Sequence, residues 1–390
     1  MNLQYIYTPG AGKMPKFLAG RNDQIEAAMS AFDALTEGEV PVCIAYSGYR
    51  GVGKTVLLNK LQENAENRGI IGYHIEVRED GRLIARLLDH CRDFLNEYSG
   101  MERLKNFFQK GSNALKSLEL GFSPDSGSFS LSAKNARTLS ADYSQSLENL
   151  FEAIGPLAKS KNQPICFFID EFQYAAPNEM DAFLGALHRV SQLSYPIIAI
   201  VCGTPEMITK MYDKKTYVER LFVFPDLMLL NIDDVNEALN KPGEKAGLSF
   251  DTNAVRVIYD ATCGYPYFVQ LYGQILCRAL KEQDMPFTVT EDFARSMYDK
   301  YLNQLDENFY KIRFNNRSKA EQDFLFAMAE LSLPCTTNDI AHALNKSNKQ
   351  VAPTLAKLKA KGIIGNSNGI NFTVPGFTEY LERQRQSNNG

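Results

Sequence analysis

One short stretch constrains the fold of this 390-residue chain more than any other feature. Residues 48–55 match the pattern G-x-x-x-x-G-K-[ST], in which a glycine-bounded loop ends in a lysine and a hydroxyl residue. An apolar run rich in β-branched residues at 40–46 precedes the loop, and a helical pattern at 56–67 follows it. A strand, a glycine turn and a helix in this order predict a phosphate-binding loop.

The loop residues have expected roles toward a bound ATP molecule. Glycines let backbone amides turn toward the phosphates, and the positive end of the following helix points at them. Lys54 is expected to neutralise the β- and γ-phosphates, and the Thr55 hydroxyl to bind Mg²⁺. The predicted nucleotide-binding residues of the loop are Gly48, Tyr49, Arg50, Gly51, Val52, Gly53, Lys54 and Thr55.

An acidic pair follows a second apolar run. Residues 165–169 are all apolar, as expected for a strand buried on both faces, and Asp170 and Glu171 come directly after them. Asp170 is expected to order the Mg²⁺ shell, and Glu171 to polarise the attacking water as a general base. Strands often end in solvated carboxylates, but the loop at 48–55 in the same chain favours the catalytic interpretation. Two carboxylates in tandem favour hydrolysis over nucleotide storage.

The first half of the chain alternates short apolar runs with helical patterns. Together with the glycine loop at 48–55, this alternation predicts an α/β fold of P-loop NTPase type, with a parallel sheet and helices on both faces. Helical patterns from about 230 to 300 predict a compact lid after the sheet. Besides the strand at 40–46, the predicted strands lie at 70–77, 164–169, 195–201 and 221–224, and further helices at 83–95 and 180–191.

A serine-rich, polar segment interrupts the nucleotide domain at about 100–145. Apolar residues alternate around 118–122 and again at 129–131, and 123–127 carry turn-forming residues. This pattern favours an inserted β-hairpin. The alternative is a disordered surface loop, which the composition also allows.

The last part of the chain has its own pattern. Helical patterns at 319–331, 337–344 and 347–361 precede two apolar runs that flank Asn368-Gly369, a strong hairpin signal. Three helices and a hairpin, closed by a helix from Phe377, predict a winged-helix domain. The predicted domains are the ATPase core at 1–228 with the 100–145 insert, a helical lid and connector at 229–317, and the winged helix at 318–390.

Lysines on the third helix of this domain suggest a DNA contact. The net charge of −4 gives no general attraction to nucleic acid, so a local basic patch is required. Lys346, Lys349 and Lys357 are expected to share the outer face of the helix and to contact the phosphates of double-stranded DNA. The alternative is a solvated helix in a domain that binds protein.

Composition bounds the cellular setting. Seven scattered cysteines without a C-x-x-C pair suit a reducing cytosol, and four histidines without metal-ligand spacing argue against a zinc site. The N-terminus has no signal-peptide pattern, and the apolar runs are too short to span a bilayer. A cytoplasmic protein without membrane contact is expected.

Four further residues have two interpretations each. Thr204 either touches the γ-phosphate or the water, or caps the helix that begins at Pro205. Arg220 is either an arginine finger for a neighbouring subunit or a solvated side chain. Pro266 either packs on the adenine or only starts a helix. Arg21 is expected to line the adenine pocket, or else to be structural.

Several of these motifs together resemble a known group. The sequences at 18–21 (Leu-Ala-Gly-Arg), 50–55, 168–171 and 203–205 resemble the AAA+ branch that contains origin-recognition-like and STAND-like ATPases. Residues 264–268 (Gly-Tyr-Pro-Tyr-Phe) look like the Gly-x-Pro element with which the lid of that branch contacts the base. Residues 372–377 and the helices before them look like the C-terminal module of a group of bacterial ATP-binding proteins. The resemblance covers nearly the whole chain.

The sequence leaves three hypotheses for function. The first is an Mg²⁺-dependent ATPase whose nucleotide state controls formation of a homo-oligomer and binding of DNA. The second is a STAND-like ATP/ADP switch that acts through protein partners without DNA. In the third, ATP is bound only for folding.

Overall fold

The computed structural model describes residues 3–78, 82–98, 120–123, 128–131, 143–283, 288–366 and 369–388. The chain divides into two compact units. The sheet unit comprises Asn22–Gly48 and Lys54–Leu227, and the helical unit comprises Met1–Arg21, Tyr49–Gly53 and Met228–Gly390. The division into three domains made from the sequence stays a prediction.

The sheet unit contains five parallel strands in the order β2-β5-β6-β1-β7. Every residue of β1, β5 and β6 is buried, which requires cover on both faces of the sheet. The predicted parallel α/β sheet is therefore confirmed. The strands of this unit are β1 (Cys43–Ser47), β2 (Ile71–Glu76), β3 (Leu120–Ser123), β4 (Ser128–Leu131), β5 (Ile165–Asp170), β6 (Ile197–Gly203) and β7 (Phe222–Val223).

Helices cover this sheet. The helix α2 begins at Lys54, within the last two residues of the glycine loop, and packs against β2, β5 and β6, while α5 packs against β6. From the sequence, this helix was expected to begin two residues later, at residue 56, because Lys54 and Thr55 are polar. In the structure both residues already lie in the first helical turn. The helices of the unit are α1 (Asn22–Thr36), α2 (Lys54–Glu66), α3 (Leu83–Tyr98), α4 (Tyr143–Lys161), α5 (Pro177–Gln192), α6 (Pro205–Lys214) and α7 (Val218–Leu221).

The inserted segment contains the predicted hairpin. Strands β3 and β4 pair antiparallel, with Leu120 opposite Leu131 and Ser123 opposite Ser128. Leu118 and the turn at 124–127 lie outside the described residues.

The helical unit begins with helices that follow the sheet region. Its buried core is rich in aromatic rings, and Tyr272 and Tyr301 stack with their centroids 4.3 Å apart. The lid helices predicted for this region are present. They are α8 (Ile232–Asn240), α9 (Thr252–Thr262), α10 (Pro266–Gln283), α11 (Glu291–Ser296), α12 (Tyr298–Leu305) and α13 (Lys311–Asn315), with a short parallel pair β8 (Ser249–Phe250) and β9 (Thr288–Val289).

The C-terminal part of this unit contains three helices, a two-stranded antiparallel ribbon and a last helix. Val351, Leu355 and Leu358 are buried on the third helix, as its apolar spacing predicted. Asn368 of the predicted hairpin turn lies outside the described residues. The elements are α14 (Lys319–Ala329), α15 (Thr337–Ala343), α16 (Asn348–Ala360), β10 (Ile364–Gly365), β11 (Asn371–Phe372) and α17 (Phe377–Asn388).

Sequence signals explain where the helices of this C-terminal part begin. Ser318 and Thr336 each accept a hydrogen bond from the third backbone amide of their helix. In return, the side chains of Glu321 and Asp339 accept a hydrogen bond from the backbone amide of the capping residue.

Across the described parts of the chain, no helix has both the length and the apolar character needed to span a bilayer.

Candidate functional site

The loop at 48–55 joins β1 to α2 through two glycines in the left-handed region. Gly51 has a φ of +84° and Gly53 a φ of +97°, values that favour glycine at both positions. At the start of the loop, the Gly48 amide donates to the Gly203 carbonyl at the end of β6, over 3.1 Å. The Lys54 side chain is buried, and its Nζ donates to the Gly48 carbonyl over 2.8 Å.

Thr55 and Asp170 lie together in the sheet unit. The Thr55 hydroxyl donates to Oδ2 of Asp170 over 2.6 Å, and the Glu171 amide donates to Oδ1 over 2.8 Å. Burial raises the pKa of Asp170, although the two hydrogen bonds and nearby Lys54 act in the opposite direction. Two residues that are 115 positions apart in sequence are therefore joined directly by a hydrogen bond between their side chains.

The oxygen atoms of Thr55 and Asp170 are suitable ligands for a magnesium ion. Mg²⁺ is held in nucleotide sites by one or two protein oxygens, several waters and the phosphates of the substrate. A hydroxyl and a carboxylate in contact supply that small oxygen set. Within the described ranges no group of three or more His, Cys, Asp or Glu side chains is arranged to hold a metal ion.

Glu171 is held in an uncommon backbone conformation. Its φ is +53° and its ψ +38°, in the left-handed region where a non-glycine residue is uncommon. Its carboxylate accepts a hydrogen bond from the Gln173 amide group. Gln173 is buried, and its Oε1 accepts from the Thr204 backbone amide over 3.1 Å. Gln173 thus joins the acidic pair to the end of β6.

No pattern in the sequence indicates a role for Gln173. A glutamine two residues after an acidic pair is an ordinary residue, and no spacing rule indicates which group its side chain meets. Only the folded sheet brings the ends of β5 and β6 together.

The structure bears on the two interpretations of Thr204. The residue is buried and immediately precedes α6, with Pro205 at the first helical position. Its side chain makes no capping hydrogen bond to that helix. The hydroxyl is therefore not used in the way the capping interpretation requires, and a role toward the nucleotide stays a prediction.

Arg220 lies on the short helix α7 and is exposed. No hydrogen bond or ion pair between described residues joins its side chain to the glycine loop or to the acidic pair. Action on a neighbouring subunit stays a prediction for this residue.

In the helical unit, Arg21 is buried and donates to three backbone carbonyls. These belong to Gly20 at 2.6 Å, Val52 at 2.7 Å and Met228 at 2.9 Å. Burial lowers the pKa of Arg21, and Asp234 partly offsets that effect. Because Val52 is a loop residue, this guanidinium fixes part of the loop, and its predicted contact with adenine remains untested.

The predicted Gly-x-Pro element lies at the start of α10. Pro266 is the first residue of that helix and is partly buried, and Gly264 before it has a φ of +68°. The residue between them, Tyr265, donates its hydroxyl to the Arg50 carbonyl over 3.0 Å. No sequence pattern indicates this contact, because the two residues are 215 positions apart.

Comparisons with known proteins agree with this architecture. Residues 18–201 match a family model described as "AAA ATPase domain", and residues 307–381 match one described as "Domain of unknown function (DUF8462)". A Walker-type ATPase of Pyrococcus abyssi aligns with a TM-score of 0.56 and 14% identity over 97% of this chain and 99% of that one. The chain has the P-loop AAA+ fold.

A second solved structure supports the same assignment of fold. The ADP form of the ORC2 protein of Aeropyrum pernix aligns with a TM-score of 0.52 and 14% identity, over 97% of both chains. At this level of identity the similarity concerns the fold alone. No curated protein sequence matches the chain significantly.

Proposed function

We propose that this protein is an Mg²⁺-dependent ATPase. The observation that carries the proposal is the hydrogen bond between Thr55, which ends the glycine loop, and Asp170, which ends the buried strand β5. The match of residues 18–201 to an AAA ATPase domain supports it.

Each residue of the site has a defined task under this proposal. Lys54 and the loop amides bind the β- and γ-phosphates, while Thr55 and Asp170 hold Mg²⁺, which neutralises charge on the phosphates when bound. Glu171 accepts a proton from the attacking water, and Gln173 orients its carboxylate. Thr204 lies one residue beyond β6, where a hydroxyl is suited to contact the γ-phosphate or the water.

The decisive experiment separates binding from turnover. Lys54→Ala should abolish binding of Mg-ATP in calorimetry. Glu171→Gln should keep that binding and lower turnover by about 10²- to 10⁴-fold, because it removes only the base. Glu206→Gln, the same change at an exposed position on α6, should leave both unchanged. Folded protein that binds no ATP, or Glu171→Gln with normal turnover, would refute the proposal.

The proposal extends to DNA through the C-terminal part of the helical unit, which acts as a winged helix. Its third helix α16 buries Val351, Leu355 and Leu358, and Lys346, Lys349 and Lys357 are exposed. Exposed lysines suit contact with the phosphates of a duplex. The nucleotide state controls the affinity for DNA and the formation of a homo-oligomer. In this oligomer the exposed Arg220 reaches the γ-phosphate of a neighbouring subunit.

A charge-matched pair of variants tests the DNA contact. Replacing Lys346, Lys349 and Lys357 together by alanine should reduce the slope of log affinity against log salt by about 2 to 3. Replacing Lys16, Lys214 and Lys245, which are exposed elsewhere, changes the net charge equally and should leave the slope unchanged. If both triple variants change this slope equally, or if the wild type shows no salt-dependent binding of duplex DNA, the proposed DNA contact is refuted.

One observation favours the alternative, a STAND-like switch without DNA. Side chains of the glycine loop contact the segment 361–365, where Arg50 donates to the Lys361 carbonyl over 3.2 Å. A Cβ atom at Gly365 would lie 2.5 Å from the Tyr49 ring. Under this alternative the C-terminal part is an internal lock. The switch would be favoured if the purified protein is a monomer that retains ADP, forms larger species in size exclusion only with ATP, and does not bind DNA.

A further inference from the structure

A buried tyrosine holds the outer side of the glycine loop. Tyr265 is 1% exposed, and its hydroxyl donates to the Arg50 carbonyl over 3.0 Å. In a loop whose amides turn toward phosphate, the carbonyls face the opposite way. A donor on that side fixes the curvature of the loop without occupying the place of the anion.

The loop and this tyrosine fit each other closely. A Cβ atom at Gly51 would lie 1.7 Å from the Tyr265 hydroxyl oxygen and 2.3 Å from Cζ. Glycine at position 51 is therefore required twice, by its φ of +84° and by the ring beside it. A shift of the loop at this point would either break the hydrogen bond or push the loop into the ring.

The tyrosine is itself fixed in the helical unit. Its ring packs against Phe268 with centroids 4.5 Å apart and against Phe309 at 6.2 Å. The preceding Gly264 accepts a hydrogen bond from the Leu230 amide over 2.9 Å, and a Cβ atom there would lie 1.9 Å from the Leu230 carbonyl oxygen. Burial raises the pKa of Tyr265, so its hydroxyl remains a donor at neutral pH.

We infer that Tyr265 is a positioning residue for phosphate binding, which acts through the Arg50 carbonyl and sets the affinity of the loop for the β- and γ-phosphates. The inference rests on the proposed function, since it assumes that the loop binds ATP. It concerns the residue between Gly264 and Pro266, whose hydroxyl serves the phosphate end of the nucleotide.

The test compares two tyrosines with the same kind of hydrogen bond. Tyr265→Phe keeps the ring and removes the donor. Tyr272→Phe is the matched control, because Tyr272 is also buried in the helical unit and donates to a backbone carbonyl, that of Ala294, over 2.8 Å. The dissociation constants of ATP and of AMP are measured by displacement of a fluorescent ATP analogue, with a thermal melt of each variant.

Tyr265→Phe should weaken ATP binding by about 2- to 10-fold, the net contribution of one hydrogen bond. AMP, which lacks the β- and γ-phosphates, should bind as it does to the wild type, so the ratio of the two affinities falls. Tyr272→Phe should lower the melting temperature and leave that ratio unchanged.

The inference is overturned if Tyr265→Phe leaves ATP affinity intact or weakens ATP and AMP equally, as a purely structural role would. A changed ratio in Tyr272→Phe would overturn it as well. These outcomes differ from failure of the proposed function, in which the wild type itself binds no ATP. If Tyr265→Phe does not fold at the assay temperature, the two affinities are measured at a lower temperature at which it is folded, and an unchanged ratio of ATP to AMP affinity there overturns the inference.

Discussion

Glu171 and Gln173 contact each other just beyond the end of β5. Glu171 has a left-handed backbone, and its carboxylate accepts from Gln173. The other end of the Gln173 amide accepts from the Thr204 backbone over 3.1 Å. The Gln173 amide group therefore links the carboxylate of the proposed base, Glu171, to the residue that follows β6.

Gln173→Ala should lower ATP turnover by roughly 10- to 100-fold, the range expected for a lost hydrogen bond to a charged group. The dissociation constant of Mg-ATP should change less than about twofold, because Lys54, Thr55 and Asp170 are untouched. Gln163→Ala is the control, since the Gln163 side chain likewise joins two segments of the sheet unit by a hydrogen bond, in this case to the Gly69 carbonyl. Single-turnover kinetics and calorimetry measure the two quantities. Parallel loss of binding and turnover would show that Gln173 only stabilises the fold.

At the scale of elements, much of the sheet unit could be predicted because its signals are local. The runs at 40–46, 164–169 and 195–201 correspond to β1, β5 and β6, whose residues are buried. Apolar content and glycine turns depend on neighbouring residues, so a single sequence contains them. The glycine loop and the acidic pair were found for the same reason, as each is one continuous segment.

The contacts that shape the loop could not be predicted, because they join distant elements. Arg21 reaches the Val52 carbonyl across 31 positions and the Met228 carbonyl across 207. The motif around Pro266 was recognised, but the hydroxyl of its neighbour Tyr265 meets the Arg50 carbonyl only through tertiary packing. Propensity and periodicity identify elements, whereas a hydrogen bond between two of them depends on the packed structure.

At the scale of the molecule, the middle of the glycine loop groups with the helical unit. Tyr49–Gly53 belong to that unit, although Gly48 and Lys54 on either side belong to the sheet unit. Within the helical unit these loop residues contact Arg21, Tyr265 and the Lys361 carbonyl. A glycine at 362 suits this packing, since a Cβ atom there would lie 2.7 Å from Arg50 Cδ. The segment expected to bind phosphate is thus also a structural part of the C-terminal half.

This arrangement predicts that ATP changes hydrogen exchange at positions distant in sequence from the loop. Ordering residues 49–53 should stabilise the segments packed on them, so amides at 264–268 and 361–366 should exchange more slowly by about fivefold or more, the lower end of coupling between sites. Peptides 252–262 and 291–305 of the same unit are the internal control, because no hydrogen bond joins these described segments to the loop. Lys54→Ala with ATP should show none of these changes. Protection confined to 48–55 would mean that the loop binds nucleotide without transmitting the event to the C-terminal part, and would favour a domain that acts on its partner independently of ATP.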